Sequence, residues 1–185
     1  MDDKTMDNLT ELVNGMDASD LRSILVGEEE GSKDLMLEGG KMFPDASRIN
    51  QENVAATMRY VYDEILPAIG IDRKHVQMLG STGKKLNGGS SGDIDLGIDA
   101  TKCKFLDGVE DTKEIVRALY EHCHPIMKDM GLEDRMIPTL YSIKCPIQNF
   151  DGKQEGKFVQ LDMMATQHMK FQTWSLYSPK EEPGK

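Results

Sequence analysis

The most constraining stretch of the chain is Asp93-Ile94-Asp95-Leu96-Gly97-Ile98. Strict alternation of acidic or small residues with branched apolar ones is the signature of a β-strand, whose side chains point to opposite faces in turn. Ile94, Leu96 and Ile98 therefore belong to a core. Asp93 and Asp95 share the other face. Two carboxylates held that close repel one another unless a cation lies between them. Their oxygens are hard ligands, so Mg²⁺ or Mn²⁺ is the natural partner, and Mg²⁺ is commonly shared with substrate phosphates.

The neighbouring segments fit that chemistry. Val76-Gln77-Met78-Leu79 reads as a short strand ending at Gly80-Ser81, and a glycine- and serine-rich loop runs from there to Gly92. Gly80 permits close approach of a phosphate to the backbone, and Ser81 and exposed N–H groups can donate to it. Lys84 and Lys85 add positive charge, although a solvated loop is the plainer account of both. The loop lacks the spacing of a Walker A motif. Later in the chain, Phe158-Val159-Gln160-Leu161-Asp162-Met163-Met164 places one carboxylate inside an apolar strand. Burying it is costly without a partner or a metal. If that strand lies beside the first, Asp93, Asp95 and Asp162 form a three-carboxylate site of the kind that holds two metal ions about 3.5–4 Å apart.

Other elements are expected as follows. Asn50 caps a helix over roughly 51–66 with Val54, Met58, Val61, Ile65 and Leu66 on one face, and Pro67 and Gly70 stop it. A second amphipathic helix runs from Asp111 to about His122, limited or kinked by Pro125. Ile137 to Cys145 reads as one strand, making a hairpin with Lys157 to Met164 through a turn at Asp151-Gly152. Residues 1–26 suit one or two short helices, and 27–47 read as a polar connection. Without strict β-α alternation the fold class is α+β: a mixed β-sheet flanked by helices.

Composition narrows the possibilities further. The net charge is −10, and residues 1–40, with eleven acidic against three basic residues, carry −8 of it. The rest is near neutral, with no basic stripe for tracking a long nucleic acid. No apolar run suits a membrane span, and Met1-Asp2-Asp3-Lys4 does not begin a secretory signal. The three cysteines, Cys103, Cys123 and Cys145, suit free thiols and a cytoplasmic setting. His122-Cys123-His124 lacks zinc-site spacing, and adjacent helical residues point in different directions.

An apolar residue, Gly80-Ser81, eleven intervening residues, Asp93-Ile94-Asp95-Leu96, then Asp162 on a later strand resembles the signature of the DNA polymerase β-like nucleotidyltransferase superfamily. The stretch with Gly39-Gly40, Phe43-Pro44 and Arg48-Ile49 resembles phage-encoded members. The resemblance implies a nucleotidyltransferase palm over 41–178, preceded by an acidic helical or loop segment over 1–40 and followed by a tail over 179–185. It implies that Asp93 and Asp95 bind two Mg²⁺ or Mn²⁺ ions and that Asp162 binds one and helps accept a proton. It implies that Gly80 and Ser81 hold the phosphates of a nucleoside triphosphate, with Lys84, Lys85 and Arg48 as further candidates. The acceptor, whether an RNA end, a protein or a small molecule, stays open. So does whether the chain is a minimal enzyme or part of a longer one. A phage-encoded member would work in the host cytoplasm. The alternatives are a catalytically silent relative that binds nucleotide or protein, and an interaction protein of unrelated fold that uses its acidic N-terminal segment.

Overall fold

The computed structural model describes residues 42–168 except 81, 83, 84 and 87. The expected N-terminal helices, the C-terminal tail, Ser81 and Lys84 lie outside the described residues. Within them the fold is α+β, built on a five-stranded mixed sheet. Its strands are β2 (Val76–Met78), β4 (Asp93–Asp99), β5 (Asp134–Ile137), β6 (Leu140–Pro146) and β7 (Phe158–Thr166), in the order β2-β4-β7-β6-β5. Only β4 and β7 run parallel. Such a pair needs a long crossover, and here the chain between them forms helix α3 (Thr112–Asp129) and the β5–β6 hairpin. A two-residue ladder joins β1 (Ile49–Asn50) to β3 (Ser90–Ser91), placing a small paired element directly before β4.

Period-2 alternation decides which face is which. Ile94, Leu96 and Ile98 of β4, Leu161 and Met163 of β7, and Tyr141 and Ile143 of β6 are fully buried on one face. They form one cluster with Val54, Met58, Val61 and Ile65 and with Ile115, Leu119, Cys123 and Met127 of α3. Burying side chains of this size contributes roughly 1.5–3 kcal/mol each, which is what commits the acidic alternate positions to the opposite face. Met42, Phe43 and Ala46 form a second small cluster against Ile137. The expected polar connection thus ends in a turn anchored by an apolar side chain, and Arg135 lies 5.3 Å over the Phe43 ring while donating to the Met42 carbonyl at 2.9 Å.

Several element boundaries depart from expectation. The first helix begins at Gln51, but its regular portion, α1 (Gln51–Tyr60), passes into a π-helical stretch Val61–Ile65 and a last turn, α2 (Leu66–Ala68). Pro67 sits in the first turn of α2, where its missing N–H costs least, so it does not stop the helix. Gly70, at φ 72°, does end it. Asn50 occupies the cap position without capping. Its side chain instead donates to Asp151 at 2.8 Å. Helix α3 runs through Pro125 to Asp129 because Met127, beyond the proline, is still needed in the core. Its start is capped by Asp111, which accepts from the backbone of Lys113 and Glu114. The strand expected over Ile137 to Cys145 is interrupted. Residues 138–139 form a turn, and Asp134–Ile137 folds back as a separate edge strand. The β6–β7 hairpin does form, with Gly152 at φ 74° in its connection.

All three cysteines are buried and free. Burial pushes their thiols up, to about 11 for Cys103 and about 12 for Cys123 and Cys145. Each is therefore a small core side chain and not a nucleophile. Among the described residues no helix is long and apolar enough to cross a membrane.

Candidate metal centre

The face of the sheet turned away from the core carries the acidic residues. The parallel register sets Asp95 of β4 directly beside Asp162 of β7 and Asp93 beside Gln160. Antiparallel pairing then sets Ser142 of β6 beside Asp162. One transverse row thus reads Asp95, Asp162, Ser142, and the next reads Asp93, Gln160, Lys144. Asp93, Asp95 and Asp162 each offer a carboxylate oxygen, and the three oxygens lie within 4.8 Å of one another. Residues 67 or more positions apart in sequence meet because a parallel pair aligns them.

The electrostatics of the cluster follow from its burial. Asp162 is only 5% exposed. Its carboxyl is pushed up to about 6, first by burial and further by the charges of Asp93 and Asp95, against hydrogen bonds from Ser142 and Gln160 that pull it down. The Asp95 carboxyl is likewise pushed up to about 6, by burial and then by Asp93, and no hydrogen bond among the described residues offsets this. Three hard anionic ligands that destabilise one another suit a divalent cation, which supplies the missing countercharge.

Gly80 is part of the same structure. The Leu79 N–H donates to the Asp95 carbonyl at 2.8 Å, which draws the chain beyond β2 against β4. Gly80 follows at φ +64°, and a β-carbon there would lie 2.5 Å from Asp95 Oδ2. Only glycine satisfies both conditions. Next, Thr82, 3% exposed, donates from Oγ1 to the Asp93 carbonyl at 2.9 Å and fastens the loop to the start of β4.

Two cationic side chains stand just before Asp93. Arg48 donates from Nε to Ser90 Oγ at 3.0 Å and from Nη2 to the Ser90 carbonyl at 2.8 Å. Lys85 donates from Nζ to that same carbonyl at 2.9 Å. Gln154 fixes this arrangement by accepting from the Asn50 N–H and donating to the Arg48 carbonyl, at 2.8 and 2.6 Å.

Gln160, Ser142 and Thr82 join the site without having been singled out by the sequence. Gln160 was legible in principle, being two residues before Asp162 and so on its face. Ser142 needed the β6–β7 register. The His122-Cys123-His124 group is spread out: His122 contacts the Ile69 carbonyl at 2.9 Å, and His124 contacts the buried Asp134 at 2.7 Å. A cleft of about 490 Å³ beside Tyr120, Asp134 and Arg135 has none of the three carboxylates in its lining. The candidate centre is identified by its donor set and not by concavity. No protein-family model matches the chain, and no curated protein matches it.

The raised Asp95 and Asp162 carboxyls imply a pH dependence. Both bind their protons more tightly in the folded chain than in the unfolded one, where the ordinary value is 3.8. The contribution of these two groups to stability therefore falls as pH rises from about 4 to about 6, and their penalty is complete above that. A divalent cation relieves the penalty only where the groups are ionised. Thermal unfolding should show a larger Mg²⁺-induced rise in Tm at pH 7.5 than at pH 5. An equal or reversed effect contradicts the assignment.

Proposed function

We propose that the chain is a metal-dependent nucleotidyltransferase with a palm of the DNA polymerase β-like kind, transferring a nucleoside monophosphate from a nucleoside triphosphate to an acceptor hydroxyl. The carrying observation is the meeting of Asp93, Asp95 and Asp162 within 4.8 Å at the Gly80 turn. Mg²⁺ or Mn²⁺, when bound, supplies neutralisation of the phosphate charge and acidifies the attacking hydroxyl. Asp93 and Asp95 would hold both ions and Asp162 one of them. The absent β-carbon at Gly80 lets the turn pack directly against the Asp95 carboxylate, and Ser81 and Lys84 of the same loop would donate to the phosphates. Arg48 and Lys85, which both donate to the Ser90 carbonyl, would offer positive charge to the triphosphate.

The acceptor oxygen attacks the α-phosphorus, and the bond from that phosphorus to the β-phosphate oxygen breaks. Pyrophosphate leaves, and Asp162 helps to take the hydroxyl proton. Positioning and charge neutralisation carry most of such a reaction. The nucleotide is set by contacts to its base and the acceptor by surfaces beyond the carboxylates.

The test is incubation with α- and γ-labelled triphosphates, Mg²⁺ or Mn²⁺ and cell extract. Label should pass to an acceptor from the α position and not from the γ position. Asp93→Ala/Asp95→Ala protein should transfer none. Transfer of γ label would mean a phosphotransferase, and equal labelling by the double variant would remove these residues from the reaction.

A further inference from the structure

We infer that Gln160 is a positioning residue that fixes the Asp162 carboxylate for cation binding, with Ser142 as its partner. This rests on the reading of the three aspartates as a cation site.

Gln160 is 2% exposed and lies two residues before Asp162 on β7, so both side chains rise from the same face. Its Nε2 donates to both oxygens of Asp162, at 3.0 Å to Oδ1 and 3.1 Å to Oδ2. Its Oε1 accepts from the Met42 backbone N–H at 2.7 Å. That last bond settles which way the amide points. A backbone N–H can only donate, so the oxygen must face Met42 and the nitrogen must face Asp162. An ionised carboxylate only accepts, so the arrangement is self-consistent at both ends. Reversing the amide would place donor against donor and acceptor against acceptor.

Ser142 donates to Asp162 Oδ1 from the neighbouring strand. Among the described residues Oδ1 thus takes two donors and Oδ2 a share of one, which keeps lone-pair capacity on Oδ2 for a cation. Groups that hold a metal-binding carboxylate in place commonly change metal affinity about 10–100-fold when removed. The plainer role for Gln160 is to tie the 42–46 turn to the sheet, and the two roles differ in what they affect. A tie affects stability. A positioning residue affects the affinity of the folded protein for cation.

Mn²⁺ binding to the full chain can be followed by the loss of the free-ion paramagnetic resonance signal, with Tm recorded for each metal-free protein. Gln160→Met keeps the volume and removes the amide. It should weaken Mn²⁺ binding about tenfold or more. Ser142→Ala, which leaves the Met42 contact intact, should weaken it in the same direction and serves if Gln160→Met does not fold. Phe43→Ala removes a buried side chain from the same turn without touching the amide. It should lower Tm and leave the Mn²⁺ affinity within about twofold. Wild-type affinity in both folded Gln160→Met and Ser142→Ala overturns the inference, as does equal weakening by Phe43→Ala. Failure of the wild-type protein itself to bind Mn²⁺ is a different result, which removes the cation site and this role with it.

Discussion

Asp162→Asn should slow nucleotidyl transfer by orders of magnitude while making the metal-free protein more stable at neutral pH. The two effects have one cause. Asp162 is buried on the sheet face beside two other carboxylates, and its carboxyl is pushed up to about 6. At pH 7.5 the folded chain therefore carries a charge that it holds at a cost. The asparagine is nearly isosteric: its oxygen, in the place of Oδ1, can still accept from Ser142 and Gln160, while its amide nitrogen, in the place of Oδ2, meets the Gln160 nitrogen donor to donor and offsets part of the gain. Removing the charge should stabilise the metal-free protein by about 1–3 kcal/mol at pH 7.5 and by little at pH 4, where Asp162 is already protonated. The same change removes one of three cation ligands. The loss of transition-state stabilisation should lower the transfer rate about a thousandfold or more. Denaturant unfolding at the two pH values, together with a single-turnover transfer assay, measures both halves. Destabilisation at pH 7.5 with retained transfer would show that the carboxylate has an ordinary structural role.

Gly80→Ala is expected to be nearly as damaging, although it removes no functional group. Alanine at φ +64° is strained by roughly 1–2 kcal/mol. The larger effect is local, because the new β-carbon would stand 2.5 Å from Asp95 Oδ2. Either the carboxylate moves away from Asp93 and Asp162 or the turn moves away from β4, and both open the cluster. Mg²⁺-dependent transfer should fall about a hundredfold or more, since misplacement by about 1 Å costs this much in a positioned site. Gly70→Ala is the matched control. It has a similar φ of +72° with nothing within 4 Å of the added carbon. It should cost stability alone and leave transfer unchanged. Equal activity losses in the two variants would assign the effect to backbone strain and not to the contact with Asp95.

The parts of this fold that could be read in the sequence are those governed by local periodicity. Alternation placed Asp93 and Asp95 on one face of β4 and its apolar partners in the core, and the apolar neighbours of Asp162 marked its strand. The helical period located the starts of α1 and α3. Ends were less legible, because tertiary packing outweighed local preference. Met127 keeps α3 going past Pro125, and Pro67 is tolerated where an N–H is dispensable. The strand expected over Ile137 to Cys145 takes in only the last residue of β5, because Asp134-Arg135-Met136 carries little apolar alternation and the turn at Pro138-Thr139 little signal among apolar neighbours. Inter-strand register was not legible at all. The alignment of Asp95 with Asp162 depends on a parallel pairing across the whole α3–β5–β6 crossover, and Ser142 enters the site only through that register. Arg48 was a candidate from the sequence, but its place against Ser90 depends on the two-residue β1–β3 ladder and on Gln154.

Crystals grown with Mn²⁺ at neutral pH and examined by anomalous scattering test the three-carboxylate centre most directly. Anomalous density should lie between Asp93, Asp95 and Asp162, at distances from their oxygens close to the Mg²⁺–oxygen value of about 2.0–2.1 Å, and should vanish in Asp162→Asn crystals. Saturating Mn²⁺ that leaves those carboxylates bare, or that collects on other residues, would contradict the account.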